Sequence, residues 1–115
     1  MNIEIQGRIN VKLNDDKTST VVKSPNATGN LLIPRFVLQG KTKYIIKSLS
    51  SDSFEDCQIE SLTFPDDSEV TSFGSWCFCR ATIKKLQIPS KLQELSSNWC
   101  LNAKEITEIE VSPKN

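Results

Sequence analysis

The sequence predicts a solenoid of stacked repeats, α/β to mainly β, opened by a β-hairpin cap. Two observations carry this. The stretch from Ile46 to Pro113 says nearly the same thing three times: IKSLSSDSFEDCQIESLTFP (46–65), VTSFGSWCFCRATIKKLQIP (70–89) and LQELSSNWCLNAKEITEIEVSP (92–113). The apolar residues also superpose when the copies are slid along one another. A step of 24 carries Leu49 to Phe73, Phe54 to Phe78, Ile59 to Ile83, Leu62 to Leu86 and Phe64 to Ile88. A step of 22 carries Phe73 to Leu95 and Phe78 to Cys100, and one of 23 carries Ile83 to Ile106, Leu86 to Ile109 and Ile88 to Val111. A unit of this length cannot bury its apolar face alone, so successive copies must stack.

The elements follow in order. Ile9, Val11 and Leu13 alternate with Arg8, Asn10 and Lys12, the pattern of a half-buried strand. Asn14 to Lys17 is turn chemistry, and Thr18 to Val22 is a β-prone return strand. This hairpin does not fit the repeat and is expected to cap the first open layer. Lys23 to Asn30 (KSPNATGN) reads as a loop and holds the glycosylation sequon Asn26-Ala27-Thr28, which matters only in a glycosylating secretory pathway. Leu31 to Pro34 (LLIP) is like the later endings LTFP and LQIP, an incomplete first repeat. Arg35 to Leu38 and Lys43 to Ile46 flank Gln39-Gly40-Lys41-Thr42, a second hairpin whose glycine can take positive φ.

Within a full copy, Ile59-x-x-Leu62-x-Phe64-Pro65 reads as a strand ended by proline. Corners follow at Asp66 to Glu69 and Ser90 to Lys91. Val70 to Phe73 is a short extended piece, and Ser75 to Arg80 is expected to be one helical or 3₁₀ turn burying Cys77 and Phe78. The expected organisation is one domain over 1–115, with a cap and partial repeat at 1–45 and three repeats at 46–115. It reads as a soluble unit or as a piece of a longer protein.

Fourteen basic and fourteen acidic residues cancel, so nothing points to nucleic acid or anionic lipid. No apolar run approaches a membrane span, and the first residues lack a secretory h-region. Without histidine, a zinc site would need thiolates alone, and paired CxxC spacing is absent. The repeat explains the cysteines instead. Cys57 falls with Ala81 and Ala103, Cys77 with Ser53, and Cys100 with Phe54 and Phe78, so they read as reduced core residues. Cys79 is set against Asp56 and against Leu101 or Asn102. Asp66, Asp67 and Glu69 form an acidic corner, read either as a hard-cation site or as a solvated turn. No nucleophile kit, phosphate loop or cofactor motif is present, and no catalytic or metal residue is predicted.

Leu49 … Ser53-Phe54-x-x-Cys57 … Ile59-x-x-Leu62-x-Phe64-Pro65 resembles the BspA-like, Treponema pallidum-type leucine-rich repeat. Its pattern is I-x-x-I-G, then A-F-x-x-C, then L-x-x-I-x-I-P. Gly74, Cys77, Phe78 and Ala81 fill the corresponding slots of copy two, while copy three departs with Ser96 and Trp99-Cys100. The resemblance implies a leucine-rich-repeat solenoid of stacked parallel strands. It also implies adhesion or protein binding, without catalysis, in surface-associated proteins of bacteria and protists. The compartment stays open, because reduced cysteines and the absent h-region suit the cytoplasm equally.

On such strands the residues between buried positions point outward. They form three ladders: Glu60, Lys84, Thr107; Ser61, Lys85, Glu108; and Thr63, Gln87, Glu110. Glu60 is expected to pair with Lys84, and Lys85 with Glu108. The strip is either a recognition surface for a protein partner or a set of charges that stabilises a structural spacer. Trp76, aligned with Asp52 and Asn98, is expected to face solvent as a second contact. Trp99 is expected to be buried. Two alternatives stand beside these: a thiol redox role for Cys77 and Cys79 as the enzyme-class reading, and self-association through the strand edge at Glu108 to Val111.

Overall fold

A computed structural model describes residues 1–96, 98–100 and 103–111. The ends of copy three at 112–113, and Leu101 and Asn102 opposite Cys79, lie outside the described residues. Strands β1 (Asn2–Ile5), β2 (Ile9–Leu13) and β3 (Thr18–Val21) form an antiparallel meander. The chain then winds. β4 (Thr28–Leu32) completes a first coil. A hairpin of β5 (Phe36–Gln39) and β6 (Thr42–Leu49) leads through β7 (Gln58–Thr63) to close the second. β8 (Ser72–Phe73) and β9 (Thr82–Ile88) make the third, and β10 (Glu94–Leu95) and β11 (Glu105–Val111) the fourth.

Stacking the coils produces two sheets. One is parallel throughout, in the order β11-β9-β7-β4; the other carries β3-β6-β8-β10 in parallel, with β1 and β2 beyond β3 and β5 antiparallel on β6. The register is the one the repeat predicts: Leu31, Leu62, Leu86 and Ile109 lie side by side, as do Ile59, Ile83 and Ile106. Leu62 and Leu86 are fully buried. Phe54 stacks on Phe78 at 6.0 Å, and Phe73 meets Phe78 edge-on at 5.7 Å. The interior is one continuous apolar column. Gly74 lets adjacent coils close up, since a Cβ there would sit 2.7 Å from the Ser51 nitrogen and 2.9 Å from the Ser50 carbonyl carbon.

Four expectations are corrected. The return strand of the opening hairpin belongs to the solenoid, because β3 pairs in parallel with β6. The loop after it ends early, at Thr28, so the first coil is complete; a bulge at Gly29, with φ of +77°, fits its strand to β7. An unforeseen β1 joins β2 through Gln6-Gly7, both at positive φ, with Arg8 N donating to Ile5 O at 3.1 Å.

The expected helical turn is instead a chain of β-turns. Alternate amides point at the next coil rather than along their own: Asp52, Phe54 and Asp56 donate to Ser75, Cys77 and Cys79 carbonyls. A helix would aim those donors along its own axis, at carbonyls four residues back. Asp52 and Trp76, and likewise Asp56 and Arg80, repeat the same left-handed φ of 55–63°. That equivalence sets Arg80 opposite Asp56 and Cys79 opposite Glu55, one residue away from the expected alignment.

Candidate functional site

The outward residues of the parallel sheet are those left between its buried positions, two between Ile59 and Leu62 and two between Ile83 and Leu86. Ser61 lies beside Lys85, and Lys85 beside Glu108; Gln87 lies beside Glu110. Glu60, Lys84, Glu108 and Glu110 are exposed, while Ser61, Thr63, Lys85 and Gln87 are half-buried. Lys84 reaches Glu60 at 3.3 Å, as expected. Lys85 does not pair with Glu108. Its ammonium takes the diagonal neighbour Glu110 at 3.2 Å, a reach that long side chains have across a sheet. Gln87 serves the backbone, because its Oε1 accepts from Phe64 N at 2.6 Å and satisfies the amide just past the end of β7.

Sequence reasoning missed the part of this face that β4 contributes at Thr28 to Asn30, because those residues carry the composition of a loop. Asn30 accepts from the Ser61 hydroxyl at 2.8 Å, and the Thr28 hydroxyl donates to Gln58 O at 3.1 Å. Thr28, Gly29, Gln58, Ile59, Glu60, Thr82 and Lys84 line a depression of about 450 Å³ on the same face. Arg8 and Gln6 lie along the outer edge of β4. Arg8 donates to Thr28 O at 2.6 Å and Asn30 O at 3.4 Å, and Gln6 to Leu32 O at 2.7 Å. Every second carbonyl of that edge is thereby occupied.

Trp76 is not brought to this face. It sits in the turn on another side of the coil and is half-buried. Its φ of +61° is a costly conformation for so large a side chain. Trp99 is also half-buried, against Phe73 and Phe78 at 6.0 and 5.9 Å. The same turns carry an ion network. Arg80 binds Asp56 through two nitrogens at 2.8 and 3.0 Å and Glu55 at 3.4 Å, and Lys23 reaches Glu55 at 3.0 Å. The Arg80 hydrogen bonds hold the Asp56 carboxyl below its usual range.

Cys57, Cys77 and Cys79 are buried and all four cysteines are unpaired. Burial pushes the Cys57 thiol up to about 11 and raises Cys77 further, away from the thiolate form that reactive cysteines need. At the acidic corner, Glu69 is held by Arg35 at 2.5 Å and Lys47 at 3.2 Å. Among the described residues no group of three or more Cys, Asp or Glu could hold a metal ion, and no helix is long and apolar enough to cross a membrane.

Residues 39–115 match the profile of the BspA type leucine rich repeat region (6 copies). The chain belongs to that family. BspA-type repeats and their fold are typically non-catalytic, and the repeat class is one of protein-interaction modules. The fold is similar to that of a leucine-rich repeat protein from Bacteroides capillosus ATCC 29799, with TM-score 0.65 and 16% identity over 97% of this chain and 99% of that one. It is also similar to the pneumococcal vaccine antigen PcpA, with TM-score 0.60 and 13% identity over 97% of this chain and 38% of that one. A comparison with curated proteins gives no match.

Proposed function

We propose that this BspA-type chain is a non-catalytic interaction and adhesion module that binds a protein partner through the outer face of its parallel sheet. The contacts are Glu60, Ser61, Thr63, Lys84, Lys85, Gln87, Glu108 and Glu110, with Trp76 as a separate contact on the turn side. One observation carries this reading. The sheet's inner face is apolar and buried at Leu31, Leu62 and Leu86, while its outer face offers a regular polar array with a depression of about 450 Å³ beside Glu60 and Lys84. Regular solenoid faces serve recognition because stacking sets their side chains at a fixed pitch. The buried thiols, with Cys57 and Cys77 pushed upward, argue against a redox role for Cys77 and Cys79.

A second reading, a spacer with no ligand of its own, draws on the pairs Lys84–Glu60 and Lys85–Glu110, which tie the array to itself. The two are separated by capturing partners with the folded chain and with a variant carrying Lys84→Ala, Lys85→Ala, Gln87→Ala and Glu108→Ala. An interaction module loses its captured protein in that variant while keeping its fold. A spacer retains every interaction it had.

A further inference from the structure

The β5–β6 hairpin leaves a sheet edge bare, away from both outer strands of the parallel sheet. Residues of an antiparallel hairpin alternate between pairs that exchange backbone bonds and pairs that do not. Gln39 with Thr42 and Val37 with Tyr44 share the parity of Arg35, whose carbonyl accepts from Ile46 N at 2.9 Å. The N–H and C=O of Phe36 and Leu38 therefore point away from β6. Among the described residues β5 pairs with β6 alone, and no other backbone bond reaches those groups. The contrast with β4 is direct, since Arg8 and Gln6 occupy the equivalent carbonyls there.

The side chains beside this edge specify what it accepts. Leu38 is 57% exposed, an apolar group next to unused backbone donors and acceptors. Lys43 stands opposite Leu38 and holds its ammonium 4.7 Å from the Phe36 ring centroid. Lys41 projects from the adjoining loop and is exposed. Neither lysine takes part in an ion pair among the described residues, whereas Arg35 and Lys47 are both held by Glu69. A strand laid on β5 sits about 4.8 Å from it, within reach of the Lys43 ammonium.

We infer that the outer edge of β5 is a docking strand for an extended acidic and apolar segment of a partner protein. The segment adds to the sheet through the backbone of Phe36 and Leu38. It packs an apolar residue on Leu38 and places carboxylates near Lys41 and Lys43. Backbone pairing supplies the affinity and the lysines the choice of sequence.

The test is a titration of the isotopically labelled full chain with a capped peptide of alternating Glu and Val, and with its Lys-for-Glu counterpart. The Phe36 and Leu38 amide signals should move saturably with the acidic peptide, and the basic peptide should bind about tenfold more weakly or not at all. Leu38→Pro removes a donor that faces away from β6, so it should abolish binding while the spectrum stays dispersed. If that variant does not fold, Lys43→Glu should weaken binding about tenfold. Unmoved Phe36 and Leu38 amides, or equal binding of both peptides, overturn the inference. So do shifts of these amides with protein concentration alone, which mark a contact between copies.

Discussion

The two outer strands of the parallel sheet are treated differently. At one end, Leu31 of β4 is 1% exposed and belongs to the core cluster against which Ile3 and Ile5 of the opening hairpin pack. At the other, Ile109 of β11 occupies the same column and is 55% exposed. The β4 edge is sealed by Arg8 and Gln6, while among the described residues β11 pairs with β9 alone. An apolar repeat position is thus buried by what stacks on it and not by its own residue type. The opening hairpin acts as a lid, covering both the side chains and the backbone edge of the first coil.

The largest expected effect separates the two ends outright. Leu31→Ala should cost about 2–5 kcal/mol in chemical denaturation, and Ile109→Ala less than about 1 kcal/mol; equal costs would erase the distinction. Between the ends, Gly74→Ala should cost about 1–3 kcal/mol, because the added methyl meets backbone of the neighbouring coil that cannot step aside. Arg8→Ala should lower stability by about 1 kcal/mol. It should also make the first end resemble the last, with sedimentation turning concentration-dependent as β4 carbonyls become available.

Acid probes the corner that ties the third coil to the hairpin. Hydrogen bonds from Lys47, then from Arg35, hold the Glu69 carboxyl below its usual value of 4.5. A carboxyl depressed in the folded state contributes fully above that value and loses its contribution as pH falls through the folded one. The Tm of Glu69→Gln should therefore lie below that of the parent at neutral pH, and the gap should close in acid. A gap independent of pH would assign the effect to packing. Least of all should Lys84→Ala matter to stability: its pair with Glu60 is exposed on both sides, so the change should stay within about 0.5 kcal/mol in denaturant melts.

The column is legible in the sequence and its surroundings are not, for physical reasons. Ile59, Ile83 and Ile106 advertise their register because burial demands the same residue type at each turn. Nothing in the composition of Ser75 to Arg80 shows that its amides serve the next coil, so a local helical turn fits it equally well. The four residues of β1 are too few to show a period. Arg8 and Gln6 act on carbonyls 20 and 26 positions away, and such side-chain reach leaves no repeating trace. At the candidate site the outward ladders follow from the spacing of the buried positions, whereas Glu110 in place of Glu108 as the partner of Lys85 depends on side-chain length and angle.

Methyl-labelled leucine and isoleucine NMR offers the most direct check that the coils lie on one another in register. Contacts are expected between Leu31 and Leu62, between Leu62 and Leu86, and between Leu86 and Ile109. None is expected between Leu31 and Leu86, two strand spacings or about 10 Å apart. A missing Leu62–Leu86 contact, or a direct one from Leu31 to Leu86, would contradict the stacking and the surfaces built on it.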